Sequence, residues 1–435
     1  MDFRAGQFYA NRDLWRENLE LVRSRGGFVP PIVSKAVEAG VIDPFDSEIT
    51  DLKLGNNCRF RGKYFSNFQE LINYDFPNSP SVLEFHADVL AEIYRIRDFG
   101  GVREISEEEA LGPDSILNPI QWFRDQRSDG TVKTRLRASF FGVCQFLSFY
   151  RLNFFKKLGS GLDFTLLFRS FLHCKSNVLY SRPRFTLADI SLECHVLSKF
   201  TKIVKTDNVD YFYQLGVPAS ASKRLRFRFV LLNGKALYFE FRVLVMGLSG
   251  SPFCSQMSNR TLMEAYTLKY GVYGDVYLDD SWTNYVEGVP HFDQFCKPFN
   301  VYFKDSKKEV GSVITLLGIE LNLIEKTARL NPAKASVIKW EAESLLGQQL
   351  VAPTDLHSFL GRIEFASRVT MLGRVNTTGL ITAFNRYQAE KGDIGDPEPC
   401  IDLGVLARKE LLFWKDIKGR CLEEGLFGQT VGPIV

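Results

Sequence analysis

Apolar and polar residues alternate along several short stretches in the middle of the chain, and this period of two predicts β-strands. The most informative stretch surrounds Tyr277-Leu278-Asp279-Asp280, where apolar positions recur on both sides, over 272–276 and 282–286. This pattern predicts a β-hairpin that carries two adjacent carboxylates at its tip. Neighbouring carboxylates repel each other unless a cation or solvent lies between them, so the tip is a candidate cation site.

A second acidic position follows another predicted strand. The apolar run over 200–204 leads to Asp207, and Asp210 comes shortly after it. If the two strands are neighbours in one sheet, Asp207, Asp279 and Asp280 converge. Carboxylate oxygens are the ligands that Mg²⁺ prefers, and two such ions about 3.5 to 4 Å apart support in-line nucleotidyl transfer. We therefore expect these three residues to bind two Mg²⁺ ions, which Mn²⁺ can replace.

Basic residues are concentrated in a second predicted hairpin. Residues 122–137 contain Asp129-Gly130, a typical hairpin-turn dipeptide, between two arms rich in Lys and Arg. Such a hairpin can place cations over a nucleotide triphosphate. An exposed basic hairpin with no ligand would show the same pattern, so the residues leave both interpretations open.

The stretch between the two acidic positions predicts a further hairpin and a long helix. Residues 223–230 and 237–245 alternate around the turn dipeptide Asn233-Gly234, and the glycine-rich segment from Gly247 to Phe253 follows. Ser251 is placed as the N-cap and Pro252 as the first residue of a helix that reaches about Tyr270. A glycine-rich helix N-terminus favours phosphate, although an ordinary strand-to-helix turn would look the same.

Lysines and helices characterise the rest of the chain. Lys304, Lys307 and Lys308 precede a strand pair that turns at Gly318, and one of these lysines could protonate a leaving pyrophosphate or simply be solvated. Helical periodicity then predicts helices capped at Thr354, over 375–387 and over 403–417. Near the amino terminus, apolar residues of 14–22 share one helical face.

Composition is that of an ordinary globular protein. The chain has 435 residues, 45% hydrophobic and 24% charged, which allows two or three domains. The net charge of +3 is too small to indicate a nucleic-acid partner by itself. Eight cysteines without a C-x-x-C spacing favour reduced thiols. With no secretory signal and no run of about 20 apolar residues, we expect an intracellular protein of the nucleus or cytoplasm, not secreted and not in a membrane.

The order of these motifs resembles that of reverse transcriptases, most closely those of DIRS-type and LTR retrotransposons. The resemblance covers residues 118–138 and 200–417, and it includes the Y-x-D-D box at 277–280 and the glycine-serine-proline segment at 247–253. The strand pair at Leu316-Leu317-Gly318-Ile319-Glu320 resembles the primer grip, and 359–367 resembles the start of the thumb. Each motif is weak alone, but six in the correct order form a specific signal.

The resemblance implies an α+β fold, a right-hand polymerase with fingers, an antiparallel-sheet palm and a helical thumb, plus an N-terminal extension. The corresponding ranges are 1–95 for the extension, 96–200 for the fingers with a probable insertion over 140–195, 201–330 for the palm, and 331–435 for the helical thumb and connection. The fingers also take strands from about 218–245. Residues 1–95 could serve a protein partner.

Individual roles follow from the same resemblance. Asp207, Asp279 and Asp280 correspond to the metal-binding carboxylates, and Phe212 to the aromatic residue that excludes a ribose 2′-hydroxyl. The nucleotide-binding positions implied are Arg127, Lys133, Phe212, Gly247, Ser249 and Lys304. The implied activity is RNA-directed DNA polymerisation, with an RNA template, a DNA or RNA primer and dNTPs as partners.

The chain also departs from the family pattern. Bulky Tyr211 precedes Phe212 where a small residue is usual, and Val245-Met246-Gly247 replaces Pro-Phe-Gly. No ribonuclease H segment is seen after the thumb. Two alternatives therefore stay open: an RNA-dependent RNA polymerase, and a domesticated, non-catalytic relative that binds RNA or acts as a scaffold. The sequence does not identify the template, the primer or the oligomeric state.

Overall fold

A computed structural model describes residues 3–51, 58–60, 63–126, 132–137, 177, 179–181, 183–370, 372–391 and 400–417. The described residues form two compact units. The first takes those of 3–137, 177–187 and 205–308, and the second those of 188–204 and 309–417. Helices and antiparallel strands are mixed, as the predicted α+β class requires. No helix within the described ranges combines the length and the apolar character that crossing a membrane demands.

The helices are, in chain order, α1 (Arg12–Ser24), α2 (Pro31–Ala39), α3 (Phe68–Asn73), α4 (Pro80–Glu84), α5 (His86–Asp98), α6 (Glu107–Ala110), α7 (Ile190–Leu197), α8 (Tyr211–Gln214), α9 (Ala219–Ser222), α10 (Gly250–Tyr270), α11 (Phe292–Cys296), α12 (Pro332–Leu346), α13 (Pro353–Ala366), α14 (Thr378–Lys391) and α15 (Gly404–Lys415). Short 3₁₀ helices cover Lys297–Phe299, Asp305–Lys307 and Val375–Thr377.

The strands are β1 (Cys58–Phe60), β2 (Lys63–Phe65), β3 (Val102–Ile105), β4 (Gln121–Gln126), β5 (Val132–Arg137), β6 (Ile203–Asp207), β7 (Arg226–Val230), β8 (Ala236–Phe241), β9 (Gly274–Tyr277), β10 (Asp280–Asn284), β11 (Glu309–Gly311), β12 (Val313–Leu316), β13 (Ile319–Asn322) and β14 (Thr327–Leu330). In the first unit β10 lies between β6 and β9, and β8 lies between β3 and β7. The second unit contains the sheet β12-β13-β14.

Turn residues explain the hairpins. Asn233-Gly234 connects β7 to β8, with Gly234 at φ 84°, as the sequence predicts. Leu317 and Gly318 both have positive φ, 50° and 85°, between the antiparallel strands β12 and β13. Two central residues with positive φ define the type I′ turn that suits a two-residue hairpin. The strand pair predicted around Gly318 is therefore confirmed.

The amino-terminal residues belong to the core of the first unit. Phe8, Tyr9 and Trp15 are fully buried, and the Tyr9 hydroxyl is hydrogen-bonded to the Ser258 hydroxyl of α10 at 2.5 Å. The Gly6 amide donates to the Tyr213 carbonyl at 3.0 Å. The segment thus packs against the rest of the unit, as expected. Its use by a protein partner stays a prediction.

Helix α10 forms the centre of this core. Buried residues lie on every side of it, including Leu262, Met263 and Tyr266, which is the pattern of a helix enclosed by protein. It begins two residues earlier than the sequence suggested, because Ser249 is the N-cap and Gly250 the first helical residue. Only glycine fits there without displacement, since a Cβ on Gly250 would lie 2.8 Å from the Pro44 carbonyl oxygen.

The second unit ends in a helical bundle that the periodicity predicted with shifted ends. Helix α13 begins at Pro353 after an Ala352 N-cap, so the predicted cap at Thr354 is wrong. Proline has a preset φ and no N–H, which suits the first helical position. The helix predicted over 375–387 starts instead as a 3₁₀ turn, and α14 extends from Thr378 to Lys391.

Candidate active site

The acidic hairpin has the predicted form. Strands β9 and β10 are antiparallel, and Tyr277 pairs with Asp280, so Leu278 and Asp279 make a two-residue turn. Leu278 has a positive φ of 55°. Most residues avoid this region because the side chain approaches the backbone, so the turn holds a strained conformation directly before the two carboxylates.

Asp207 lies beside this tip. It ends β6, it is 7% exposed, and the amide of Asn208 donates to the Asp279 carbonyl at 2.9 Å. One residue earlier on each strand of this pairing, the Thr206 and Ser281 hydroxyls are hydrogen-bonded at 2.6 Å. The structure therefore brings together the acidic segments that the sequence predicted to meet.

Two lysines neutralise Asp207. Lys304 and Lys307 each donate to its carboxylate, Lys307 over 2.6 Å, and the Lys304 amide also donates to the Asp207 carbonyl at 2.8 Å. Burial by itself would raise the pKa of Asp207, but the two lysine hydrogen bonds outweigh it and hold the pKa below its usual value. Asp207 is thus a carboxylate, and sequence reasoning singled out only one of its two partners, Lys304.

Asp280 is electrostatically the opposite of Asp207. Burial, together with the negative charges of Asp279 and Asp207, raises the pKa of Asp280 to about 6. Lys205 and Lys307 act against this shift and are outweighed. A raised pKa in a group of acids is the signature of uncompensated negative charge, which a bound cation would relieve.

The acids have the right chemistry for Mg²⁺ without forming a finished cage. Among the residues that the structure describes, no group of three or more His, Cys, Asp or Glu side chains is arranged to hold a metal ion. Both oxygens of Asp207 are engaged by Lys304 and Lys307. The carboxylate set fits hard divalent cations, provided that the lysines release Asp207 when a cation binds.

The two aromatic residues after Asp210 have different environments. Tyr211 is 5% exposed, and its hydroxyl donates to the Ser255 carbonyl at 2.8 Å. Its ring also contacts Phe8 with the ring centroids 6.1 Å apart. Phe212 is only partly buried at the edge of the core. The bulky Tyr211 that departs from the family pattern is therefore a core residue, and Phe212 is the more accessible of the two.

A buried amide holds the glycine-serine loop. Asn177 is fully buried, and its side chain donates to the Gly247 carbonyl and accepts from the Ser249 amide, both at 2.7 Å. Gly247 has a φ of 100°, which side chains disfavour. The sequence predicted Gly247 and Ser249 but missed Asn177, since a single Asn within the expected insertion carries no spacing signal.

The basic hairpin is confirmed as a strand pair. Strands β4 and β5 are antiparallel, with Asp125 opposite Lys133. The predicted turn and Arg127 lie outside the described residues, and for Lys133 only the backbone is described. The triphosphate-binding role of both cations therefore stays a prediction.

Comparisons with known proteins give one distant structural similarity. No protein-family model and no curated protein matches the chain. Among solved structures, it is similar to the "Structure of the foamy viral protease-reverse transcriptase dRH in complex with ds DNA", with 12% sequence identity and a TM-score of 0.45. The match covers 85% of this chain and 52% of that one, so the chain spans about half the length of that protein.

Proposed function

We propose that this chain is a template-directed nucleotidyltransferase, an RNA-directed DNA polymerase of retroelement origin. The observation that supports this proposal is the hydrogen bond between the Asn208 amide and the Asp279 carbonyl, 2.9 Å long. It brings the end of β6 to the tip of the β9–β10 hairpin. Three carboxylates from separate parts of the chain then share one small region, beside a cluster of lysines.

The carboxylates would hold the metal ions. Asp207 and Asp279 are the proposed direct ligands, and Asp280 adds negative charge whose pKa of about 6 leaves it largely ionised at neutral pH. Two Mg²⁺ ions bound there would supply Lewis-acid stabilisation of the primer 3′-oxygen and of the phosphates. The protein's own contribution is to fix the positions of the acids before substrate arrives.

The lysines would act on the leaving group. Lys304 and Lys307 lie against Asp207 in this structure, within reach of any phosphate bound beside that carboxylate. Once released from Asp207, an ammonium group there can donate to the pyrophosphate oxygen as charge develops on it. Lys304 is the residue that the family resemblance indicates.

The remaining parts of the site would bind the nucleotide and the nucleic acid. Phe212 would contact the sugar and disfavour a 2′-hydroxyl, while the loop from Gly247 to Ser249, fixed by Asn177, would lie against the incoming base pair. The β4–β5 hairpin, with Arg127 and Lys133, would act as fingers over the triphosphate of a dNTP. Palm and thumb roles for the 201–330 and 331–435 ranges, with an RNA template and a DNA or RNA primer, complete the proposal.

A primer-extension assay on the purified chain tests this function. The substrates are an RNA template with an annealed DNA primer, offered dNTPs or NTPs, with Mg²⁺, Mn²⁺ or EDTA. The proposal predicts extension with dNTPs that requires a divalent cation. Preference for NTPs would instead indicate an RNA polymerase, and no synthesis on any template would indicate a non-catalytic, RNA-binding protein.

A further inference from the structure

The turn before the catalytic carboxylates is held in its strained shape from outside the hairpin. Leu278 has a φ of 55° and no glycine's freedom to adopt it. A strained residue persists only where its surroundings fix it. Something other than the two-residue turn must therefore stabilise this conformation.

Two buried amides of helix α10 contact the turn. Gln256 Oε1 accepts a hydrogen bond of 2.7 Å from the Leu278 amide, and Gln256 Nε2 donates to the Val276 carbonyl at 2.9 Å. Asn259 Nδ2 donates to the Leu278 carbonyl at 2.9 Å. Both peptide groups that flank Leu278 are thus held by side chains three residues apart, which lie on one helical face.

These amides are costly choices for a core helix. Gln256 is 1% exposed and Asn259 is fully buried. Asn259 Oδ1 also makes no hydrogen bond to any residue that the structure describes. A buried polar group without its full set of partners destabilises the fold, and an apolar side chain of similar size would avoid that cost. The hydrogen bonds to the turn are what these side chains provide in return.

We infer that Gln256 and Asn259 are positioning residues that hold Leu278 in its left-handed conformation and so fix Asp279 and Asp280 for catalysis. The inference rests on the proposed polymerase function for its catalytic part. Its structural part, that the two amides stabilise a strained turn, stands independently of any activity.

The first test is a rescue experiment in primer extension. Gln256→Met removes both hydrogen bonds at nearly constant volume, and we expect kcat to fall about tenfold to a hundredfold, with the KM for dNTP changing little. Leu278→Gly relieves the strain, because glycine adopts positive φ readily. In the Gln256→Met background it should restore most of the lost kcat. A Gln256→Met enzyme within about twofold of the wild type, or an absence of rescue, would overturn the inference.

The second test uses thermal unfolding and needs no activity. Leu278→Gly should raise the midpoint more in the Gln256→Met background than in the wild type. Asn118→Leu is the matched control, since Asn118 is a buried amide whose side chain donates to the Arg224 carbonyl at 2.9 Å. In that background Leu278→Gly should have only its wild-type effect. Equal effects in all backgrounds would show that no clamp exists.

The two tests separate the possible failures. A wild-type chain without polymerase activity but with the background-dependent effect on unfolding would refute the proposed function and keep the clamp. If Gln256→Met does not fold, Gln256→Glu replaces it. That variant keeps an acceptor for the Leu278 amide and loses the donor to Val276, so it should show a smaller defect that Leu278→Gly again corrects.

Discussion

The backbone amide of Asn208 donates a hydrogen bond to the carbonyl of Asp279, 2.9 Å away. Because this is a contact between main-chain atoms, the closeness of the two acidic segments does not depend on how any side chain is oriented. Asp207 and Asp280 are each one residue from this hydrogen bond. The raised pKa of Asp280, to which Asp279 and Asp207 both contribute, is the electrostatic consequence.

Asp280 should make stability fall with rising pH. Its folded-state pKa is raised from 3.8 to about 6, so the unfolded chain loses this proton first. The contribution to stability is present at low pH and is lost as pH rises through about 6. In EDTA, Asp280→Asn should therefore raise the midpoint of thermal unfolding at about pH 8, by at most about 3 kcal/mol, and less at about pH 5.

Added Mg²⁺ provides the control for this prediction. A cation at the acids would remove the repulsion, so Mg²⁺ should stabilise the wild type at about pH 8 more than it stabilises Asp280→Asn. Equal stabilisation of both proteins, or no effect of the substitution at either pH, would show that the acids do not form one charged cluster.

The lysines near Asp207 should differ from their neighbour. Lys304→Gln and Lys307→Gln remove the two ammonium groups that contact Asp207, and the one that serves as general acid should lower the rate of dNTP incorporation about a hundredfold. Lys308→Gln removes the same charge, but Lys308 pairs with Asp293 at 2.7 Å. It should stay within about twofold of the wild type. Equal losses in all three variants would indicate a general effect of charge.

Phe212 should control the choice of sugar. Phe212→Ala removes the partly exposed ring that would contact the 2′ position, so the ratio of dNTP to NTP incorporation should fall about tenfold or more. Tyr211→Phe is the matched control, because it keeps a buried ring and loses only the hydrogen bond to Ser255. It should lower stability without changing the ratio. An unchanged ratio in Phe212→Ala would refute the gate.

Asn177 should be needed to order the glycine-serine loop. Asn177→Leu breaks both hydrogen bonds to the loop, and we expect a higher KM for dNTP together with a lower thermal midpoint. Asn118→Leu breaks a buried amide contact elsewhere in the first unit and should affect only stability. If both variants leave the KM unchanged, Asn177 has no role beyond packing.

The sequence predicted those parts of the structure that local patterns encode. Alternation and turn residues identified the β9–β10, β7–β8 and β12–β13 hairpins, because each depends on residues close together in the chain. The adjacency of Asp207 to the acidic turn was also predicted, although only as a condition on how the strands are ordered in the sheet.

What it missed depends on contacts between distant residues. Asn177 and Gln256 act on backbone groups 70 and 22 residues away, and nothing in their immediate neighbours marks them. The amino-terminal aromatics read as an extension, yet Tyr9 bonds to Ser258 inside the core. Helix starts also shifted where proline at 353 or the close approach of Pro44 to Gly250 decided them.

The central claim is that Asp207 and Asp279 act as one catalytic unit. Single-nucleotide incorporation on an RNA template, with Mg²⁺ and dNTP, should be measured for Asp207→Asn, Asp279→Asn and the double variant, with folding checked by thermal unfolding. Residues that act as a unit are not additive, so each single variant should lose as much activity as the double. Substantial synthesis by either folded single variant, or losses that multiply in the double, would contradict the account.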